Sequence, residues 1–258
     1  MNIKIIYEDD YLLVIDKPSG ITVNRSDTTK EEETVQDWAE GYLKIPNPKS
    51  QIPNKSQIQN SNTQTNLELG ALDLEFTSRA GIVHRLDKET SGILLIAKTP
   101  EVFADLQRQF KERKVEKKYI ALVHGKVVPE VGEINVPVGR LSFNRKRFGV
   151  VAGGREAVTK YKVLGIKYLG KETLNLLELY PKTGRTHQIR VHLKYFNHPV
   201  FSDALYAGRK TARNDRKVLS RLFLHAAGIS FTHPIENKII KLESLFPKEL
   251  DNFLSNLD

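Results

Sequence analysis

The sequence predicts an α+β protein built on a mixed, mostly antiparallel central sheet flanked by helices. Three observations carry this. Short apolar or alternating segments outnumber helical ones along the 258 residues. The helical segments fall between them irregularly, so no repeating βαβ unit emerges. Residues 126–180 read as β throughout, in short alternating runs separated by glycine turns at Gly132, Gly139, Gly153-Gly154 and Gly170.

The chain opens with two short strands, Ile3–Tyr7 and Tyr11–Asp16, around the turn Glu8-Asp9-Asp10. Lys17-Pro18-Ser19-Gly20 stops the second strand. Thr34 is placed to cap a helix, with Asp37 three residues on as its capping-box partner and Val35, Trp38 and Tyr42 on one face. Residues of about 44–66 differ from everything around them. They are rich in Asn, Gln, Ser, Pro and Lys, lack periodicity and nearly repeat a Lys-Ser-Gln-Ile unit. Such a composition cannot bury enough apolar surface to offset ordering entropy. It reads as a flexible surface insertion; its few charges argue against an RNA-binding tail.

Gly81–Gly92 runs an apolar segment into His84-Arg85-Leu86-Asp87 and then a Thr-Ser-Gly turn. Ile93–Ala97 behind it is short, continuous and apolar, as in a buried strand. Thr99-Pro100-Glu101 starts a helix with an N-cap, a first-position proline and a first-turn acid. Tyr119–Val123 is a strand ending at His124-Gly125, and Leu174–Tyr180 another. After Pro181-Lys182-Thr183-Gly184-Arg185, Thr186 is expected to cap a helix with Ile189, Leu193 and Phe196 inward. A basic loop or short helix follows at 209–221. Strands at Leu222–His225, Gly228–Thr232 and Ile239–Ser244 and a helix after Pro247 complete the chain.

Lys+Arg 40 against Asp+Glu 31 gives +9 and a pI near 9.5, which suggests a polyanionic partner, nucleic acid first. Basic residues cluster at 108–118, 140–147 and 209–221. With no cysteine, disulfides, thiolate nucleophiles and cysteine zinc sites are excluded. No run of 18 apolar residues and no signal-peptide pattern at the start make a cytoplasmic protein the default.

His187 and His192 are five apart on a helix, where shared-face ligands need three or four, so no metal site is expected. There is neither a G-x-x-x-x-G-K-[ST] loop nor a G-x-G-x-x-G after a strand, so no nucleotide cofactor is expected. Ser91 lacks the G-x-S-x-G elbow of a serine hydrolase. What remains is one carboxylate, Asp87, in a loop rich in cations. An aspartate there can cap backbone N–H groups, and the stretch alone reads that way. It can also act as nucleophile or base if a paired arginine keeps it ionised on desolvation. Arg190 is the candidate partner; by itself it could equally be a surface residue of an amphipathic helix.

His84-Arg85-Leu86-Asp87-Lys88-Glu89-Thr90-Ser91-Gly92 resembles the signature of the RluA family of pseudouridine synthases. Three further blocks match in order: Glu116–Gly125, Thr183–His192, and Leu224-His225-Ala226 with His233-Pro234. The opening Tyr11–Gly20 also fits. The resemblance implies a pseudouridine synthase fold, no metal or cofactor, and conversion of specific uridines to pseudouridine in ribosomal or transfer RNA. Asp87 falls on the catalytic aspartate, Tyr119 on the tyrosine that stacks on the base, and Arg190 on the aspartate's salt-bridge partner. His84, Arg85, Thr90, Arg185, His187 and Gln188 fall on motif positions expected to bind substrate. Attack by the aspartate on sugar or base and proton abstraction at C2′ both stay open. One catalytic domain over 1–258 is expected, acting as a monomer; many members of the family carry an N-terminal S4 domain, and because the blocks begin almost at residue 1 it is expected to be absent here. Where the family often has Gly-Asp-x-x-Tyr-Gly, this chain has Ser202-Asp203-Ala204-Leu205-Tyr206-Ala207, which puts that loop's geometry in question. The alternatives are an RNA-binding module without catalysis, against which Asp87, Tyr119 and Arg190 stand, and a glycosidic-bond hydrolase, for which no motif supplies a second carboxylate.

Overall fold

A computed structural model describes residues 1–25, 32–45, 72–142 and 144–258. Most of the low-complexity segment expected at about 44–66 lies outside them. The chain divides into two compact units. The first comprises Met1–Lys88, Leu94–Lys114 and Thr232–Ile240; the second comprises Glu89–Ile93, Val115–Phe231 and Lys241–Asp258.

In the first unit, β1 (Lys4–Glu8) and β2 (Leu12–Lys17) form an antiparallel hairpin. Asp9 holds its turn by accepting from the Tyr11 and Leu12 amides at 2.8 and 2.7 Å. Helix α1 (Val35–Leu43) starts on the expected capping box of Thr34 and Asp37. After α2 (72–78), Gly81 turns with φ +71. A Cβ there would lie 2.0 Å from the Ala97 carbonyl oxygen, so no other residue fits without displacing backbone. Ala97 belongs to β3 (Ser91–Ala97), every residue of which is buried. Helix α3 (Pro100–Lys111) begins at the Thr99 cap, as expected, and buries Val102, Phe103 and Leu106.

The second unit is β-rich. The start of β3 pairs in parallel with β10 (Leu224–Thr232), at His225↔Ser91 and Ala226↔Gly92. From β10 the order runs antiparallel through β4 (Glu116–His124), β9 (Glu172–Pro181), β8 (Val158–Leu169) and β5 (Val131–Asn135). Strand β6 (Val138–Leu141) and β7 (Asn144–Val150) form a separate hairpin, and β11 (Ile239–Glu243) pairs with β10. The two strands expected at 222–232 are one strand bent by an irregularity between Ala226 and Gly228. Helix α4 (Gln188–Tyr195) covers one sheet face, with Ile189 and Leu193 in a core that holds Ala121, Val123, Leu177 and Leu179. Helix α6 (Lys248–Ser255) contributes Leu250 to the core on Leu122, Leu174 and Phe201. Helix α5 (Arg209–Asp215) carries the basic segment.

Helix α4 departs from expectation. Thr186 does not cap it. The position before its first residue is His187, in left-handed geometry at φ 54, with no side-chain cap bond.

Candidate active site

The first unit supplies the loop that carries Asp87. Its ends are pinned by apolar residues, with Ile82 bridged to Ile96 and Val83 and Leu86 buried. Between these anchors Arg85 is exposed and Asp87 half-buried. The turn after β2 holds the loop from behind. Gly20 donates its N–H to the Lys88 carbonyl at 2.8 Å. Lys17, fully buried, donates from Nζ to the carbonyls of Pro18, Ile21 and Lys88 at 2.8, 2.9 and 3.1 Å. Three acceptors match the three donors of an ammonium, which is what lets a lysine be buried. His84 Nε2 accepts from the Leu95 amide at 3.0 Å, and its ring stacks on Phe110 at 4.9 Å. That bond places the ring proton on Nδ1.

The second unit supplies the other candidates. Tyr119, half-buried on β4, packs against the core cluster to which Ile189 of α4 belongs. Arg190 follows Ile189 and is 4% exposed. Its Nε and Nη2 donate to Asp203 Oδ2 and Oδ1, each at 2.8 Å, in a bidentate pair. Asp203 is completely buried, and its Oδ1 also accepts from the Leu205 and Tyr206 amides at 2.9 and 3.1 Å. The Arg190 guanidinium lies 5.0 Å from the centroid of the Tyr206 ring. Tyr206 in turn takes the Phe148 amide of β7 at 3.1 Å and faces His187 Nδ1 at 2.8 Å through its hydroxyl. The Ser202–Ala207 loop thus forms despite lacking the glycine. Ser202 adopts φ 61, and its amide and hydroxyl are bonded to Asp215 Oδ2 and the Leu219 carbonyl at 3.0 and 2.8 Å. Those bonds offset the strain of a left-handed serine.

The turn before α4 is set by Gln188. Its Oε1 accepts from Thr183 Oγ1 and the Arg185 amide at 2.6 and 3.0 Å; its Nε2 donates to the Val158 carbonyl and Thr159 Oγ1, both at 3.0 Å. This fills the amide's capacity. Gln188, expected to bind substrate, fixes the turn instead. Arg185 Nε is directed to the Glu156 carbonyl at 3.0 Å. Thr90 is 2% exposed and its hydroxyl has no hydrogen-bond partner among the described residues.

Two of the basic clusters are partly structural. Arg216 pairs with Glu89 at 2.8 Å. Arg221 is buried and donates to Ser91 Oγ at 2.8 Å. Lys118 pairs with Glu243. Arg209, Lys210, Arg213 and Lys217 stay exposed.

Among the described residues one group has spacing compatible with a metal, His124 with Glu172 and Asp215. Each imidazole nitrogen faces a different carboxylate, Nδ1 to Glu172 at 2.6 Å and Nε2 to Asp215 at 3.1 Å. This is the arrangement of an imidazolium between two acids rather than of ligands around one ion. His225 is the opposite case. Burial, reinforced by Arg221, pushes its pKa down to about 4, so it is neutral.

Sequence reasoning missed Asp203, Tyr206 as the plane under Arg190, and Lys17. The motif around 202–207 was visible, but nothing in spacing says that an acid thirteen residues away meets Arg190.

Residues 11–195 match the family model described as RNA pseudouridylate synthase. The ribosomal large subunit pseudouridine synthase D of Neisseria meningitidis serogroup B is 36% identical over 264 residues, covering 100% of this chain and 62% of that protein. The protein of that name from Nitrosomonas europaea is 36% identical over 251 residues, covering 96% and 63%. The chain thus spans less than two thirds of the length of these relatives. An uncharacterized RNA pseudouridine synthase of Aquifex aeolicus is 37% identical, covering 99% of this chain and 73% of that one. Among solved structures, human RNA pseudouridylate synthase domain containing 1 shares the fold at TM-score 0.69 and 24% identity, over 98% of this chain and 87% of the other.

Proposed function

The chain belongs to the RNA pseudouridylate synthase family, of the RluA type, and from that premise we propose that it isomerises specific uridines of a structured RNA to pseudouridine. The substrate is ribosomal RNA, the RNA named for two of its relatives. The reaction breaks the bond between C1′ and N1 of the uridine, turns the uracil, and joins C1′ to C5; the C5 proton is lost to solvent and N1 gains a proton, so that the product is an isomer. It uses no metal and no cofactor.

The observation that carries this reading is the buried Arg190–Asp203 pair, on the helix whose Ile189 belongs to the core that Tyr119 packs against. A guanidinium clamped along its Nε–Nη2 edge is fixed in plane and charge. In our reading, which follows the family resemblance, Arg190 is the cation that keeps the catalytic aspartate ionised on desolvation. Tyr119 stacks on the extruded uracil. Extrusion is required because a stacked base hides C1′ and C5, and an RNA loop yields a base most cheaply. Asp87 then acts on the sugar or the base. Lys17, by holding the Lys88 carbonyl, sets where Asp87 stands. Arg85 and the exposed cations of α5 meet RNA phosphates. The protein acts as one catalytic domain and as a monomer in the cytoplasm. No helix among the described residues is long and apolar enough to cross a membrane.

The test is tritium release from RNA carrying 5-³H-uridine, with ribosomal and transfer RNA compared as substrates. The chain is expected to release tritium from ribosomal RNA, and Asp87→Ala to abolish release while RNA binding persists. Unchanged release in that variant sinks the role of Asp87. Free uracil in place of tritiated water would make the chain a hydrolase.

A further inference from the structure

Lys117 stands apart from the other lysines. It lies on β4 two residues before Tyr119, so the two side chains share a sheet face about 7 Å apart along the strand. Its Nζ donates to the Thr183 carbonyl at 3.2 Å, which uses one of three donors. Thr183 opens the Thr-Gly-Arg turn, and a Cβ on Gly184 would come within 4.0 Å of the same Nζ. The turn therefore runs at van der Waals distance from the ammonium, with its backbone beside it.

Among the described residues of its unit, no acid forms an ion pair with this lysine. Its β4 neighbours Glu116 and Lys118 project from the opposite face, where Lys118 is taken by Glu243. Strand β10 places Ile229 beside it. The turn places Lys182 and Arg185, and Arg185 is directed to the Glu156 carbonyl. The charged group that acts on Lys117 is Lys182, a like charge; burial and Lys182 together pull its pKa down to about 8. A cation held half-buried against another cation is destabilised as it stands. An anion with several acceptor oxygens would relieve it.

We propose that Lys117, with Lys182 and the Thr183-Gly184-Arg185 turn, forms a subsite for one backbone phosphate of the bound RNA, next to the base held at Tyr119. The subsite rests on the function proposed above and adds the phosphate contact that fixes the register of the target nucleotide. It also makes RNA binding proton-linked. The phosphate selects the charged form of Lys117, so binding takes up a proton wherever the free amine is partly neutral.

The experiment measures the affinity of a uridine-containing RNA stem-loop from pH 7 to 9.5 at fixed salt, for the intact chain and three variants. The unaltered chain should lose about tenfold in affinity across that range, the loss that a one-unit rise of the lysine pKa on binding implies. Lys117→Arg keeps the cation but does not titrate there, so its profile should be flat. Lys117→Met should bind about tenfold more weakly at pH 7, with a salt slope shallower by about one. Lys182→Ala removes the like charge and should move the bend to higher pH. A profile for the unaltered chain that superimposes on that of Lys117→Arg, or equal binding by Lys117→Met, overturns the subsite. If Lys117→Met does not fold, as judged by circular dichroism, the first comparison still decides. Tritium release is scored separately: its absence with the pH-linked binding intact would overturn the isomerase reading and leave the phosphate subsite standing.

Discussion

Two polar regions of the second unit are built on opposite principles. In the segment from Thr183 to Tyr206 the buried side chains described above are matched. Arg190 meets both oxygens of Asp203, and Gln188 spends its whole amide on four bonds. Around Thr90 and Ser91 the matching is incomplete. Among the described residues, Thr90 Oγ1 and Arg216 Nε are buried without a hydrogen-bond partner. Each such group costs about 1–3 kcal/mol. A saturated network has one low-energy arrangement and so serves as a rigid template. The unsaturated one holds the stretch that follows Asp87 with bonds to spare, so it gains less from staying where it is. Within the second unit, the template is the Arg190–Asp203 pair, and the Thr90–Ser91 stretch is the part with bonds unmade.

The largest test of this contrast breaks the template. Asp203→Ala leaves a buried guanidinium without its carboxylate and is expected to cost about 3–5 kcal/mol in urea unfolding. Because that variant could fail to fold, Asp203→Asn supplies the second arm. It keeps the shape, loses the charge, and should lower tritium release more than a hundredfold with RNA affinity little changed. Full activity in Asp203→Asn would show that the pair does not position Arg190.

The next test uses pH. His225 titrates with its pKa depressed in the folded state, to about 4. The unfolded chain therefore binds the proton first as pH falls. The neutral ring is fully accommodated above pH 6.5, and stability drops between there and about pH 4, by about 3 kcal/mol. A His225→Asn variant should lack that slice of acid sensitivity. His124 has the reverse sign: burial pulls its pKa down, but the hydrogen bonds that its ring donates to Asp215 and Glu172 outweigh that and hold it up. Its contribution is complete below pH 6.5 and is lost as pH rises through the raised value. Urea midpoints of His225→Asn and of His124→Asn across pH 4–8 should thus diverge from the unaltered chain at opposite ends of the range.

The smallest test addresses the orphan hydroxyl. Thr90→Val replaces it with a methyl of the same shape and is expected to stabilise the chain by about 1 kcal/mol. A rise in Tm with reduced tritium release would mean that the hydroxyl is retained for catalysis at the expense of stability. A fall in Tm would mean that it is bonded in solution and that the contrast between the regions is weaker than described.

Much of the local structure was legible in the residues. Thr34 with Asp37 and Thr99 with Pro100 mark helix starts by stereochemistry that acts over three or four residues, and both appear where expected. The all-β reading of 126–180 follows from period-two alternation and holds. The start of α4 was misread because Thr186 has the right side chain for a cap, while the turn is set instead by Gln188 and the left-handed His187. The basic clusters were misread in part because charge sign does not reveal a partner. Arg216 and Arg221 look like phosphate contacts in sequence, yet they hold Glu89 and Ser91.

By itself the sequence determined the elements, the order of the motifs and the family they resemble, since these depend on neighbours along the chain. Only the tertiary structure decided which charges are paired and which are left exposed to one another. Asp203 meets Arg190 from thirteen residues away, and Lys17 reaches the Lys88 carbonyl across seventy-one. Among the described residues, Lys117 meets a carbonyl and a like-charged neighbour. The energy of a buried charge depends on separation in space and on the solvent it has lost, and spacing along the chain encodes neither.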